Sequence, residues 1–415
     1  MTEPNVIWKY RLVKTSNMKL ISDLTTGFHD KNNQFMLNQG GTVEGWMHLE
    51  DDRTDYVEEH KTALLLYRNN RAIWSGEVSD CEDNADNEQN STLKITSLGW
   101  FERLNRRVVH TGYEWKEMAI KASGRTIARL PAEDHEKELE NIETQYNEVL
   151  AEKFYVPVAT ESAQQLFYAN TPMALIANDL LIRANIDYPT LITVGEVAPT
   201  NSINLTINQF QNVGKQITIL TAIESGFDFE IDPLTRKFNT YRNEITAGIA
   251  GKGINRGQKV RFTFPGNCVK VNRKSQGTKT QNRTEAVGEY SIGKSESVQS
   301  IQENGLFEVV DSLPEVVNLN ILNAYAAIET FTLEKPFKVI TFAPRAVNNS
   351  ESYSVPRPYE DYEIGDIVYC KIEKGPRFII GVEGLQAVRI FGFTINISEV
   401  GTEHIENLQT IYSQS

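Results

Sequence analysis

Apolar and polar positions alternate most clearly between Thr62 and Ser97, and they predict three strands there. Thr62–Arg68 reads T-A-L-L-L-Y-R and Arg71–Ser79 reads R-A-I-W-S-G-E-V-S, on either side of Asn69-Asn70. Asparagine tolerates the left-handed backbone of a two-residue hairpin turn. Such a turn sets Leu66 against Ile73 and Leu65 against Trp74, which makes both faces of the hairpin apolar. Cross-strand pairs of this kind stabilise a hairpin. One face can fill a small barrel, and the other needs a second domain or subunit over it. Thr92–Ser97 follows as a third strand. Gly99-Trp100-Phe101 then opens a helical turn, with Phe101, Leu104 and Val108 at helical spacing. Arg103, Arg106 and Arg107 close it.

Around this segment the chain divides by pattern. Residues 1–112 give six or seven short strands in all, including Trp8–Val13, Met18–Ile21 and Thr42–Leu49, as an antiparallel sandwich or barrel does. Phe28–Gln34 is polar. Asp51–His60 is charged and solvated, and Asp80–Asn90 is expected to be a solvated loop between two strands. Its acidic residues miss the Gly and Glu spacing of a helix–loop–helix calcium site.

Residues 113–170 form an acidic helical excursion. Ala132–Lys153 holds eight acidic and two basic residues, with Leu139, Ile142, Tyr146, Val149 and Leu150 at helical intervals. Residues 171–254 read as a small α/β domain. Thr171 caps a helix to Asn185, and Met173, Ile176, Ala177, Leu180, Leu181 and Ala184 make its apolar face. Val213–Glu224 is a second helix that stops before Gly226, and Phe227–Ile231 and Lys237–Tyr241 are strands. Residues 255–415 return to strands at Val260–Phe264, Cys268–Asn272, Phe337–Phe342, Ile367–Ile372, Arg377–Val382, Val388–Ile397 and His404–Ile411. Gln276–Asn282 is a loop, and one inserted helix spans Glu315–Phe331.

Charge sharpens this picture in one place. The chain carries a formal net charge of −13, which disfavours general nucleic-acid or anionic-membrane binding. Against that background, Lys252–Arg283 holds nine basic residues and no acidic one. They are Lys252, Arg256, Lys259, Arg261, Lys270, Arg273, Lys274, Lys279 and Arg283, and they form the candidate assembly interface. Like charges on one segment repel unless something opposes them. The expected opponent is an acidic surface of a partner, most simply the Ala132–Lys153 helix of a neighbouring subunit; a solvated face and DNA are the alternatives. Phe262 and Phe264 are the aromatics within the run, and both sit in a strand pattern, whereas nucleic-acid sites add stacking side chains to charge.

Catalytic and cofactor chemistry is not apparent. The three cysteines, Cys81, Cys268 and Cys370, are far apart and fit neither a disulfide framework nor a zinc site. The six histidines show no metal spacing. Gly251–Gly257 is one residue too long for a dinucleotide loop and precedes no predicted helix. No nucleophile motif occurs, so neither catalytic residues nor a cofactor are expected. Met1–Tyr10 lacks the apolar core of a secretion signal, and no run is long enough for a membrane helix, so no membrane anchor is expected.

Leu64–Tyr67, Ile73–Gly76, Leu93–Ser97 and Leu104–Val108, followed far along by Asp311–Pro314, Glu315–Phe331, Phe337–Phe342 and Ile364–Val368, form an ordered set. It resembles the tail hub proteins of long-tailed bacteriophages, also called minor tail or tail-associated proteins, which are similar in fold to the baseplate hub. The resemblance spans most of the chain apart from residues 113–170. It implies a β-rich α+β protein: two antiparallel β-barrel-like domains with a small α/β domain and helical excursions between them. It also implies a non-enzymatic structural role in the virion, at the distal tip of the tail, after assembly in the bacterial cytoplasm. The implied partners are two further copies in a homotrimer, a distal tail or tail-tube protein, a tape-measure protein and downstream tail-tip or receptor-binding proteins. Transient contact with phage DNA in the lumen belongs to the same picture. The alternative is a carbohydrate-binding adhesin using Trp46, Trp74, Trp100 or Trp115 as sugar platforms.

Overall fold

The computed structural model describes residues 6–85, 91–112, 116–117, 120–121, 123–125, 135–152, 159–162, 164–186, 188–222, 226–242, 252–278, 280–288, 290–312, 319–334, 337–345, 355–373, 386–398 and 402–412. The expected strand Arg377–Val382, together with Trp115, Lys279 and Glu315–Asn318, lies outside them.

The first block contains β1 (Trp8–Lys14), β2 (Leu20–Asp23), β3 (His29–Met36), β4 (Thr42–His48), β5 (Thr62–Arg68), β6 (Arg71–Asn84) and β7 (Thr92–Gly99). These strands lie in the order β3-β4-β7-β6-β5-β1-β2, all antiparallel. Asn69 and Asn70 make the β5–β6 turn with φ of 48° and 66°, as a two-residue turn demands. The expected facing pairs are off by one. Tyr67 faces Ala72, but Leu66 faces Trp74 and Leu65 faces Ser75. Ile73 is the extra residue of a bulge, which increases the local twist. The shift brings Trp74 inside with Leu64 and Leu66, where its indole N–H donates to Gly40 O at 2.7 Å. Leu65 and Ala63 point to the other face and are buried under a different layer. Both apolar faces of the hairpin are thus covered.

Two segments of this block differ from expectation. The polar stretch around Phe28–Gln34 holds an interior strand, β3. Its buried Asn33 is satisfied, accepting from the Tyr10 hydroxyl at 3.1 Å and donating to Ile395 O at 3.2 Å. Asp80–Asn84 is not loop either. It prolongs β6, paired with Thr92–Thr96 of β7.

After the short α1 (Glu102–Asn105) and the excursion helix α2 (His135–Glu152) comes the layer that covers the hairpin. It holds β8 (Thr160–Glu161), β9 (Gln165–Pro172), α3 (Met173–Ile186), β10 (Thr193–Val194), β11 (Ser202–Asn208), α4 (Val213–Ala222), β12 (Phe227–Ile231) and β13 (Lys237–Arg242). Thr171 does not cap α3. It stays in the β9 ladder opposite Ile203, and the Thr200 hydroxyl accepts from Ala174 N at 3.0 Å. The expected apolar face of α3 is buried against Ala63, Leu65, Phe101, Phe229 and Phe238. Asp179 and Arg183 are buried on the same helix, 2.8 Å apart, and the Tyr168 hydroxyl donates to Asp179 at 2.5 Å. Burial pushes the Asp179 carboxyl up, against the pull of Arg183. Arg183 also reaches the Tyr146 hydroxyl at 3.4 Å, which ties α2 to α3.

The second block contains β14 (Arg261–Phe264) and β15 (Cys268–Gln276), then an insertion, then β19 (Phe337–Pro344), β20 (Ile367–Ile372), β21 (Gln386–Ile397) and β22 (Glu403–Tyr412). The insertion is larger than one helix. It holds β16 (Arg283–Val287), β17 (Ile292–Glu296), α5 (Val298–Asn304), β18 (Glu308–Ser312) and α6 (Leu319–Leu333). Its strands form their own sheet β17-β16-β18, with Ala286, Leu322 and Ala326 as its small core. Ion pairs between Arg283, Glu296 and Glu308 and between Lys294 and Glu285 decorate the sheet. These polar strand residues hide it from a hydrophobic pattern.

The strand order of the second block, β15-β19-β22-β21-β20-β14, repeats that of the first, β3-β4-β7-β6-β5-β1, in the same chain sequence. Every neighbouring pair has the same sense except the last: β5–β1 is antiparallel and β20–β14 parallel. The blocks fuse through β21. Its near part pairs with β20 from Gln386 to Arg389, and its far part pairs with β3 from Gly392 to Ile397. One hydrophobic core runs through both blocks, from Trp8 and Tyr10 to Ile405 and Leu408. Buried charge crosses the same seam. Arg68 Nε and Nη2 donate to Glu403 at 2.6 and 3.0 Å, and Trp8 Nε1 donates to it at 2.7 Å. Asp228, buried in the α/β layer, pairs with Arg389 of the second block and accepts from Asn38 of the first at 3.1 Å.

Candidate assembly interface

The structure describes eight of the nine basic residues of Lys252–Arg283, all but Lys279, and divides them into groups. Three are held by carboxylates of their own chain. Lys252 pairs with Glu230 and lies 5.6 Å from the Tyr241 ring. Arg256 Nε meets Asp366 at 2.6 Å, and Asp366 also accepts from Ile254 N and Glu363 N. Arg283 bridges Glu296 and Glu308 at 2.8 and 3.1 Å, which raises its pKa above the usual guanidinium value. These three fasten the run to the α/β layer, the second block and the insertion respectively. Lys259, Arg261, Lys270 and Lys274 are exposed, and Arg273 is half-buried. Lys259 ends the helical turn Gly257–Lys259 just before β14, and Arg261 is the first residue of the strand. Lys270 and Lys274, four residues apart, share one face of β15.

Position in the sheet gives the second group its meaning. Among the described residues β15 is the outermost strand, hydrogen-bonded to β19 on one side only. The expected acidic opponent, α2, is partly neutralised within its own excursion. Lys116 meets Glu143 and Arg125 meets Glu148, each at 2.5 Å. A second acidic surface comes from the stretch expected to be a solvated loop. The far end of β6 presents Asp80, Glu82 and Asp83, all exposed. Its ladder to β5 stops at Glu77, so beyond the bulge at Ser79 the segment Asp80–Asn84 pairs with β7 alone among the described residues.

The remaining features are structural in character. A cavity of about 110 Å³ lies where the two blocks meet the α/β layer, beside Phe35, Trp74, Phe229 and Tyr359. The charged groups on its wall are already paired, Arg71 with Glu363 and Lys252 with Glu230. Among the described residues no cluster of three or more metal-ligating side chains occurs. Burial pushes the Cys268 and Cys370 thiols up to about 12, and burial together with Glu59 does the same for Cys81. Trp74 and Trp100 are buried and offer no platform to a sugar. Trp46 is half-buried, stacked on His29 at 4.5 Å, with its indole N–H on Asp30 at 2.7 Å.

No family model matches the chain, and no curated protein matches it. Solved structures do. The prophage MuSo2 43 kDa tail protein from Shewanella oneidensis aligns with a TM-score of 0.52 at 11% identity, over 97% of this chain and 98% of that one. The chain has a phage tail-protein fold. The tail protein from Neisseria meningitidis MC58 aligns with a TM-score of 0.50 at 8% identity, over 97% of this chain and 96% of that one. The tail-protein fold is therefore shared along nearly the whole length while almost every side chain differs.

Proposed function

We propose that this chain is a structural hub of a phage tail tip. In this reading three copies form a ring at the distal end of the tail tube, joining the tube to host-recognition components and closing or gating it. The neighbours are a distal tail or tail-tube protein, the tape-measure protein and downstream receptor-binding proteins, and DNA passes the lumen transiently. The role is non-enzymatic. The observation that carries the reading is the duplicated β block. Two copies of one strand order, fused by a shared strand, let each chain present two equivalent modules to a tube of higher symmetry. The tail-protein fold over 97% of the chain supports it.

The test is to locate the chain in intact particles. Antibody labelling and mass spectrometry of purified tails should place it at the tip, and deleting its gene should yield particles without functional tails. A chain missing from purified tails, or one that releases soluble fragments from host cell wall, refutes the proposal.

A further inference from the structure

We propose that the acidic end of β6, Ser79–Asn84, pairs antiparallel with the basic edge strand β15 of a second copy of the chain. This deepens the hub reading by naming the strands that join one copy to the next.

The duplication carries the inference. In the repeated order β6 corresponds to β21 and β3 corresponds to β15. Within one chain, the far part of β21 outruns β20 and pairs with β3. The far part of β6 outruns β5 in the same way, and β15 offers the edge that β3 offers. Yet among the described residues Asp80–Asn84 pairs only with β7, and β15 only with β19. Each is half of a junction whose other half is made inside the chain. An open strand edge is a ready template for another strand.

Charge selects the partner. Asp80, Glu82 and Asp83 on one edge and Lys270 and Lys274 on the other are all exposed. Pairing either edge with itself would set like charges together, which is unfavourable across strands. Pairing one with the other sets opposite charges together. Residues directly opposite one another in a ladder share a face of the sheet. Asp80 and Glu82 stand opposite Thr96 and Lys94, and Lys270 and Lys274 opposite Ala343 and Val339, all on the face turned away from the shared core. The pairing therefore brings Asp80 and Glu82 onto the face that carries Lys270 and Lys274. The contact is head-to-tail, so it propagates and either closes into a ring or runs on as a filament. Lysines on an edge strand also serve simply to keep other strands away, and the experiment separates the two roles.

The purified full chain is followed by sedimentation velocity and native mass spectrometry at low salt. Wild type should assemble, and added salt should weaken the assembly. E82K/D83K and K270E/K274E should each raise the dissociation constant about tenfold or more, and the variant carrying all four changes should recover to within about threefold of wild type. Circular dichroism identical to wild type excludes misfolding, since all four side chains are exposed. In a Cys81→Ser background, Glu82→Cys with Lys274→Cys, both on the outward face, should give covalent oligomers on oxidation. A monomeric wild type, reversals without effect, a four-fold variant that fails to recover, or no cross-link each overturn the proposal. Assembly through a different face would sink this inference and leave the hub reading standing. Absence from purified tails would sink the hub reading and leave the strand contact measurable.

Discussion

Removing Arg68 should be among the most damaging single changes outside the apolar core. Its guanidinium is 2% exposed and Glu403 is 4% exposed, and together they bridge the two blocks. Burial works against the charged Arg68, but Glu403 and Glu360 outweigh it and leave its pKa above the usual value. Arg68→Met leaves the Glu403 carboxylate buried, with Trp8 Nε1 as its remaining side-chain donor. Stranding one member of a buried pair costs about 3–5 kcal/mol, or roughly two to four powers of ten in the folding equilibrium. Arg68→Met with Glu403→Leu removes both charges and costs less, about 1–2 kcal/mol, because Trp8 then lacks its acceptor. Urea unfolding, followed in parallel by tryptophan fluorescence and circular dichroism, supplies the four corners of the double-mutant cycle. A loss under about 1 kcal/mol for Arg68→Met, or a double variant as costly as the sum of the singles, would refute this account of the seam.

Other perturbations test other parts of the fold. At Gly99 a Cβ would lie 1.8 Å from Gly40 O, so Gly99→Ala should lose about 3 kcal/mol or more, seen as a lower urea midpoint. Asn70→Ala should cost about 1–2 kcal/mol because of its φ of 66°, and Asn70→Gly should be tolerated. Leu65→Ala opens a cavity between the first sheet and the α/β layer and should cost about 2–5 kcal/mol by the same assay. With its thiol pushed up to about 12, Cys81 stays protonated at pH 8. It should alkylate more slowly than free cysteine there and accelerate as pH rises toward that value; full reaction at pH 8 at the free-thiol rate would contradict this.

What could be read from the sequence was what local chemistry specifies. Asn69-Asn70 between alternating runs gave the hairpin, and the apolar face of α3 gave the helix. The bulge at Ile73 was not visible, because packing of Trp74 beside Leu64 and Leu66 decides it. Nor was β3, whose polar residues are satisfied by groups distant in sequence: Asn33 bonds Ile395, 362 residues away. The basic run was plain as a charge asymmetry. Which of its members are free was not, since Arg256 finds Asp366 only in the folded chain, 110 residues on. The acidic end of β6 looked like a loop because nothing local distinguishes a solvated strand edge from a solvated turn. The insertion strands were missed for a related reason, their outward residues being paired charges rather than alternating apolar ones.

The fusion of the blocks through β21 has a consequence for how the protein is made. The first block leaves the ribosome with the outer edge of β3 unpaired. The residues that cover it, Gly392–Ile397, come about 360 positions later. At translation rates of about 5–20 residues per second, that edge waits roughly 20 to 70 seconds. An open edge is an invitation to neighbouring nascent chains. The polar character of Lys31, Asn32, Asn33 and Gln34, which concealed the strand from a hydrophobic pattern, suits that interval. It keeps a central strand of the finished sheet soluble until its last neighbour has been synthesised.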